Sequence, residues 1–245
     1  MDPGAHPLAC PGFQVWEQRR QTASKGGIAI LVRRGLVVER SEGNEYAQVA
    51  QIKLPDSTRL YVVNVYLPPA YNLQQRGVVE QEARDSVGNI LATVPPGAHI
   101  FVAGDWNTRT GSRVPTVGGD TLARCSADSR VCNRAPWLME LLSVHGLYLL
   151  NGLQPGPEAG FTCLTAAGSS VVDYVATRDP GHRVDTCPAT LEGLSDHLLL
   201  HLQFTGAAHH LGTHPRPSHT PGQVYYKWVE GEKIGEYAES GQKWA

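Results

Sequence analysis

The sequence contains no uninterrupted apolar run of about 18 residues, the length a membrane-spanning helix needs, so no membrane span is expected. It also lacks any Cys-x-x-Cys pair. Its five cysteines, Cys10, Cys125, Cys132, Cys163 and Cys187, are an odd number with no histidine at finger-like spacing. A structural zinc module and a disulfide framework are therefore not expected. Positive charge is not in excess: 21 Lys and Arg stand against 23 Asp and Glu, a formal net of -2. That balance excludes a generally basic nucleic-acid coat, so any contact with a polyanion must come from a local patch or a bound metal. Met1 to Pro11 has prolines and a glycine but no basic stretch leading into an apolar core. No secretory signal is expected, and the location implied is intracellular.

What is present is enough for a core. With 245 residues and 41% hydrophobic content, the chain reads as one globular domain over 13–205, preceded by an irregular terminus over 1–12. From 206 to 223 the composition turns to Pro, Gly, His and Thr without apolar period, the signature of a linker. The stretch 224–245 carries Tyr225, Tyr226, Trp228, Ile234 and Tyr237 among Glu and Lys, and reads as a short helical tail. One segment is locally basic. Between Thr108 and Ala135, Arg109, Arg113, Arg124, Arg130 and Arg134 face only Asp120 and Asp128, a local net of +3.

Apolar runs rich in β-branched residues predict strands at 26–33, 47–54, 59–67 and 98–104, with more near 147–151, 159–164, 170–177, 183–187 and 197–204. Helices fit 73–94 and 135–145, the second opening at Pro136 and stopping at Gly146. Strand pairs interleaved with helices in this order imply a layered α/β sandwich.

Four short polar signatures stand beside those strands: Tyr66, Gly104-Asp105-Trp106-Asn107, Asp173-Tyr174 and Ser195-Asp196-His197. Taken singly, Asp-x-Asn after a strand and Ser-Asp-His before one are also good turn chemistry, because such side chains cap backbone groups. Asp173 is different. A carboxylate in the apolar run Val171-Val172-Asp173-Tyr174-Val175 loses hydration and needs a partner, and His197 is the natural one. That pairing would raise the histidine's pKa. A carboxylate beside a neutral amide, Asp105 with Asn107, suits a phosphoester hydrolase: one orients and deprotonates water, the other donates to a phosphoryl oxygen.

The ordered set Gly26-Gly27-Ile28-Ala29-Ile30-Leu31-Val32, Val63-Asn64-Val65-Tyr66-Leu67-Pro68-Pro69, Gly104-Asp105-Trp106-Asn107, Leu149-Leu150-Asn151-Gly152, Phe161-Thr162, Ser170-Val171-Val172-Asp173-Tyr174 and Leu194-Ser195-Asp196-His197 resembles the endonuclease/exonuclease/phosphatase superfamily. Arg124-Cys125-Ser126-Ala127-Asp128-Ser129, followed by Leu147 to Gly152, is most similar to the apurinic-type endonuclease domain of LINE-like non-LTR retrotransposons. The resemblance implies a four-layered α/β/β/α sandwich of two mostly antiparallel sheets flanked by helices, here without its first one or two strands. It implies hydrolysis of DNA with Mg²⁺ or Mn²⁺. By that likeness, Asp105 activates the attacking water, Asn107 and Tyr66 grip the scissile phosphate, and Asp173 orients His197. Asp196 and Asp105 hold the metal. Ser195 and Thr162 support the phosphate from the edge, and Arg109 and Arg113 steer the DNA backbone. A retroelement product of this kind would work in the nucleus.

The family pattern opens with a strand ending in Asn and a second ending in Gln-Glu, whose Glu is a metal ligand; neither is found here. Glu17 is the nearest acidic residue but lies after the expected position. Losing a carboxylate weakens a Mg²⁺ site that relies on one or two of them. The sequence therefore implies an impaired endonuclease, with a non-catalytic remnant that at most binds nucleic acid as the alternative. A phosphatase of small phosphoesters shares the scaffold and is a third reading.

Overall fold

The computed structural model describes residues 8–20, 27–69, 76–153, 160–187 and 195–203. The linker and tail expected after 205 lie outside them. In chain order the strands are β1 (Phe13–Arg19), β2 (Gly27–Arg33), β3 (Val37–Gly43), β4 (Ala47–Lys53) and β5 (Arg59–Tyr66), then helix α1 (Arg76–Ala92) and β6 (His99–Asp105). There follow α2 (Ala135–Val144), β7 (Tyr148–Leu149), β8 (Cys163–Thr165), β9 (Gly168–Ser170), β10 (Asp173–Thr177), β11 (Arg183–Cys187) and β12 (Leu199–Gln203).

The centre is a six-stranded sheet of order β3-β4-β5-β6-β10-β7, antiparallel except for the pair β5–β6. A parallel pair needs a crossover, and α1 supplies it. Strand β4 is buried along nearly its whole length, because Val49 faces the helices while Ala50 and Ile52 face the hairpin β1–β2. That is why it reads as a continuous apolar run rather than an alternation. In β2 only one face is covered, and burial alternates at Ile28, Ile30 and Val32.

Both helices pack on one side of the sheet. Ala83, Val87 and Leu91 of α1 and Leu138 and Leu142 of α2 meet Val63, Val65, Val102 and Tyr174 in the main core. The other side carries β1–β2 over Ala50 and Ile52, and an edge-on contact of His182 with Phe101 at 5.2 Å ties the approach to β11 onto β6. This is an α/β sandwich of mixed sheets with few helices. Among the described residues β2 pairs only with β1 and β12 only with β11, so the second strand layer consists of separate hairpins.

The sequence reading passed over β1, β3 and β9. Strand β3, Val-Val-Glu-Arg-Ser-Glu-Gly, is an edge strand with a register shift at Val38/Arg40 and mostly exposed side chains. Its charges are the kind that blunt a sheet edge, and they erase the apolar alternation.

Candidate active site

Three neighbouring strands end in one row. Tyr66 of β5 is the register partner of Asp105 of β6, and Asp105 is the partner of Asp173 of β10. Cross-strand partners project to the same face, so a phenol and two carboxylates line up at strand spacing of about 4.8 Å. The exit of β6 depends on Gly104, whose φ is +145°. A Cβ there would sit 1.9 Å from the carbonyl oxygen of Val65.

Asn107 follows in the left-handed region at φ 43°. Its backbone N–H donates to Asp105 Oδ1 (2.9 Å), and its Nδ2 donates to Asp105 Oδ2 (2.9 Å) and to the Leu67 carbonyl (2.8 Å). Both amide hydrogens are thus spent inside the protein. As it stands Asn107 fixes Asp105, and donation to a phosphoryl oxygen requires releasing one of these bonds.

His197 comes from the segment before β12. Its Nδ1 lies 2.9 and 3.0 Å from the two carboxylate oxygens of Asp173, as the buried-carboxylate argument anticipates. The hydrogen bond to Asp173 outweighs burial and lifts the imidazole from its usual 6.5 to about 9. It is an imidazolium at neutral pH. Asp105 moves from 3.8 to about 7, first because it is desolvated and second because Asp173 repels its charge, with the Asn107 N–H bond, His197 and Arg134 only partly offsetting both. Tyr66 is pushed up by burial, against the pull of Arg20, whose guanidinium lies 5.7 Å from the ring centre.

Asp105, Asp173 and His197 present donor atoms within 4.8 Å of one another. Asp196, exposed, falls in a second group with Cys163 and His197 rather than beside Asp105. Glu17 is not in either group: its Oε2 accepts from the Leu8 N–H and its Oε1 pairs with Arg19.

Three expectations need correction. Thr162 is fully buried, and its Oγ1 accepts from the N–H groups of Val172 (3.0 Å) and Asp173 (3.1 Å), so its hydroxyl positions Asp173 from inside the fold rather than lining the rim. Arg109 gives its guanidinium to Asp128 through two bonds of 2.7 Å. Nor is the basic segment a free patch. Arg124 and Arg134 are each 6% exposed and donate to backbone carbonyls, Arg124 to Asn151 and Gly111, Arg134 to Trp106, Asn107 and Pro68. Only Arg113 and Arg130 of the five are exposed. Ser195 accepts from the His197 N–H at 2.9 Å and so orients the histidine's backbone.

Three residues named from the sequence have supporting roles that it did not assign. Arg134 staples the loop after Asn107, and Asp128 accepts from the Val171 N–H at 3.1 Å. Asn151 donates to the Asp173 carbonyl (3.1 Å) and accepts from the Val175 N–H (2.9 Å). Asp128 among these arginines was the available signal: it pairs with Arg109, while Arg124 and Arg134 are taken up by backbone carbonyls.

Fold and cluster together define an α/β sandwich with an acidic, histidine-containing cluster at the ends of its central strands. The sequence model of the Endonuclease/Exonuclease/phosphatase family matches residues 2–197, and the chain belongs to that family, whose members are metal-dependent nucleases, phosphodiesterases and phosphatases. No curated protein matches the chain in sequence. Among solved structures it is similar to the 3'-5' exonuclease NExo from Neisseria meningitidis, with TM-score 0.56 and 16% identity over 79% of this chain and 80% of that one. It is also similar to the Xenopus laevis APE2 catalytic domain, with TM-score 0.53 and 14% identity over 80% and 77%. A Neisseria NExo structure bound to product DNA hairpin has TM-score 0.53 and 18% identity over 79% and 80%.

Proposed function

We propose that this chain is a metal-dependent phosphodiester hydrolase acting on DNA, an endonuclease of the retrotransposon type with weakened metal binding. The observation that carries the reading is the in-register pair Asp105–Asp173 closed by His197. Two desolvated carboxylates side by side are short of positive charge, and hard oxygen donors within 4.8 Å fit Mg²⁺ or Mn²⁺. When bound, the ion supplies Lewis-acid stabilisation of charge on the phosphate. The protein's own part follows from geometry. Asp105, held by both donors of Asn107 and with a pKa of about 7, is poised to take a proton from water. His197, kept protonated by Asp173, offers positive charge to a phosphoryl oxygen, and Tyr66 stands at the same rim. Ser195 supports the histidine, while exposed Arg113 is available to a DNA backbone.

Weak metal binding is inferred because no glutamate joins the cluster among the described residues. The engagement of Glu17 by Arg19 and Leu8 favours the second reading, a non-catalytic remnant. Nicking of supercoiled plasmid separates them. The wild-type chain should nick in Mn²⁺ or Mg²⁺ and not in chelator, and Asp105→Ala and His197→Ala should each lose on the order of 10²-fold or more. Absence of nicking in all three chains, at metal concentrations that saturate, establishes the remnant; equal nicking in all three removes the assigned residues.

A further inference from the structure

The antiparallel bridge Cys163↔His197 carries the second donor group. The Leu164 N–H donates to the Asp196 carbonyl (2.6 Å) and the Leu198 N–H to the Thr162 carbonyl (2.7 Å), which locks Cys163 directly opposite His197. Residues opposed in this way project to one face with Cβ atoms about 5 Å apart. Cys163 is 8% exposed and is fixed from its other side by Ser170, its partner in the β8–β9 hairpin. Sγ of Cys163, a carboxylate oxygen of Asp196 and a ring nitrogen of His197 lie within 4.8 Å of one another.

We propose that Cys163, Asp196 and His197 form a binding site for a borderline-soft divalent ion of the Zn²⁺ class, distinct from the hard-ion site at Asp105 and Asp173. Three protein donors of S, O and N type with a fourth position left to water are a normal zinc set. Tetrahedral bonds of about 2.0–2.3 Å place such donors roughly 3.5 Å apart, so closing the set around an ion needs at most about 1 Å of side-chain movement. A thiolate discriminates against Mg²⁺ and in favour of zinc. Burial, together with Asp196 and Asp173, raises the thiol's pKa, so without metal Cys163 is a protonated and poor nucleophile rather than a redox cysteine.

Both sites draw on one imidazole. Binding releases a proton from the imidazolium to solvent: at Nε2 the ion replaces the proton that would meet a phosphate, and at Nδ1 it replaces the proton shared with Asp173. Either way an ion here takes His197 out of the reaction, so the site is inhibitory. Its existence does not depend on catalysis.

The test uses Co²⁺ as a spectroscopic stand-in for Zn²⁺ on the full chain. One equivalent of Co²⁺ should produce thiolate-to-cobalt charge-transfer absorption that Zn²⁺ abolishes by displacement and excess Mg²⁺ does not. In Cys163→Ser, with unchanged circular dichroism, the band should vanish and Zn²⁺ affinity should fall at least tenfold. The His197 ring resonances should shift with Zn²⁺ in the wild type and not in Cys163→Ser. Persistence of the band in Cys163→Ser, its absence from the wild type, or a His197 signal indifferent to Zn²⁺ overturns the assignment. These readouts register binding alone, so they stand apart from the outcome of the nicking assay.

Discussion

Replacing Asp173 by Asn tests the electrostatic core of the site. The side chain keeps its shape, and the Thr162 and Asn151 bonds go to backbone atoms of residue 173, so they survive. What is lost is the negative charge 2.9 Å from His197 Nδ1. A shift of the imidazole from 6.5 to about 9 corresponds to roughly 3 kcal/mol of coupling. The histidine side chain is 33% exposed, so solvent screening reduces the realised value to about 2 kcal/mol. Because the folded pKa is raised, this stabilisation is fully present below about pH 6.5 and disappears as pH rises through about 9. NMR titration of the His197 ring should give a midpoint near 9 in the wild type. In Asp173→Asn it should fall well below that, toward the ordinary 6.5, because burial lowers it and only the more distant charges of Asp105 and Asp196 still raise it. Urea unfolding at about pH 6 should show the variant less stable by about 2 kcal/mol, with the gap closing by about pH 10. A wild-type midpoint near 6.5, or a stability gap that does not change with pH, refutes the reasoning.

Asp105→Asn removes an ionisation cost of roughly 4 kcal/mol at pH 8, since Asp105 moves from 3.8 to about 7 in the fold, but sets an amide donor against one of the two Asn107 donors at a cost of about 2 kcal/mol, so the metal-free protein should gain about 2 kcal/mol; no gain in thermal midpoint there contradicts the cause assigned. The same variant should lose most Mn²⁺ affinity by calorimetry. Gly104→Ala should cost at least about 3 kcal/mol, since the new Cβ collides with the Val65 carbonyl and the positive φ remains, and chemical denaturation reads it directly. Arg134→Ala strands the carbonyls of Trp106, Asn107 and Pro68 and should cost about 2–4 kcal/mol; if it instead altered only the salt dependence of DNA binding, the internal role is wrong.

Much of the site was legible because its residues break local pattern. Asp173 interrupts an apolar strand, and desolvation alone demanded a partner, which His197 supplies. Gly104, Asp105 and Asn107 follow an apolar run, and their order along the chain gave the strand-end location. The arginines were a different matter. Sequence counts charge but not distance, and Arg109, Arg124 and Arg134 were counted as surface when Asp128 and a set of loop carbonyls absorb them. Strand β3 was invisible for a related reason: an edge strand needs no apolar alternation once its pairing with β4 is provided.

By itself the sequence determined the order of the apolar strands and the two helices, the four polar signatures and the family, since hydrophobic period and residue type are local properties of the chain. Only the tertiary structure decided that Tyr66, Asp105 and Asp173 share one row, that Asn107 spends its donors on Asp105, and that Cys163 stands opposite His197. The row and the Cys163–His197 bridge rest on the register between strands far apart in sequence, and the Asn107 bonds on the backbone turn that follows β6. Register is set by the simultaneous packing of both faces of the sheet, and a one-residue slip would turn each of these side chains to the opposite face.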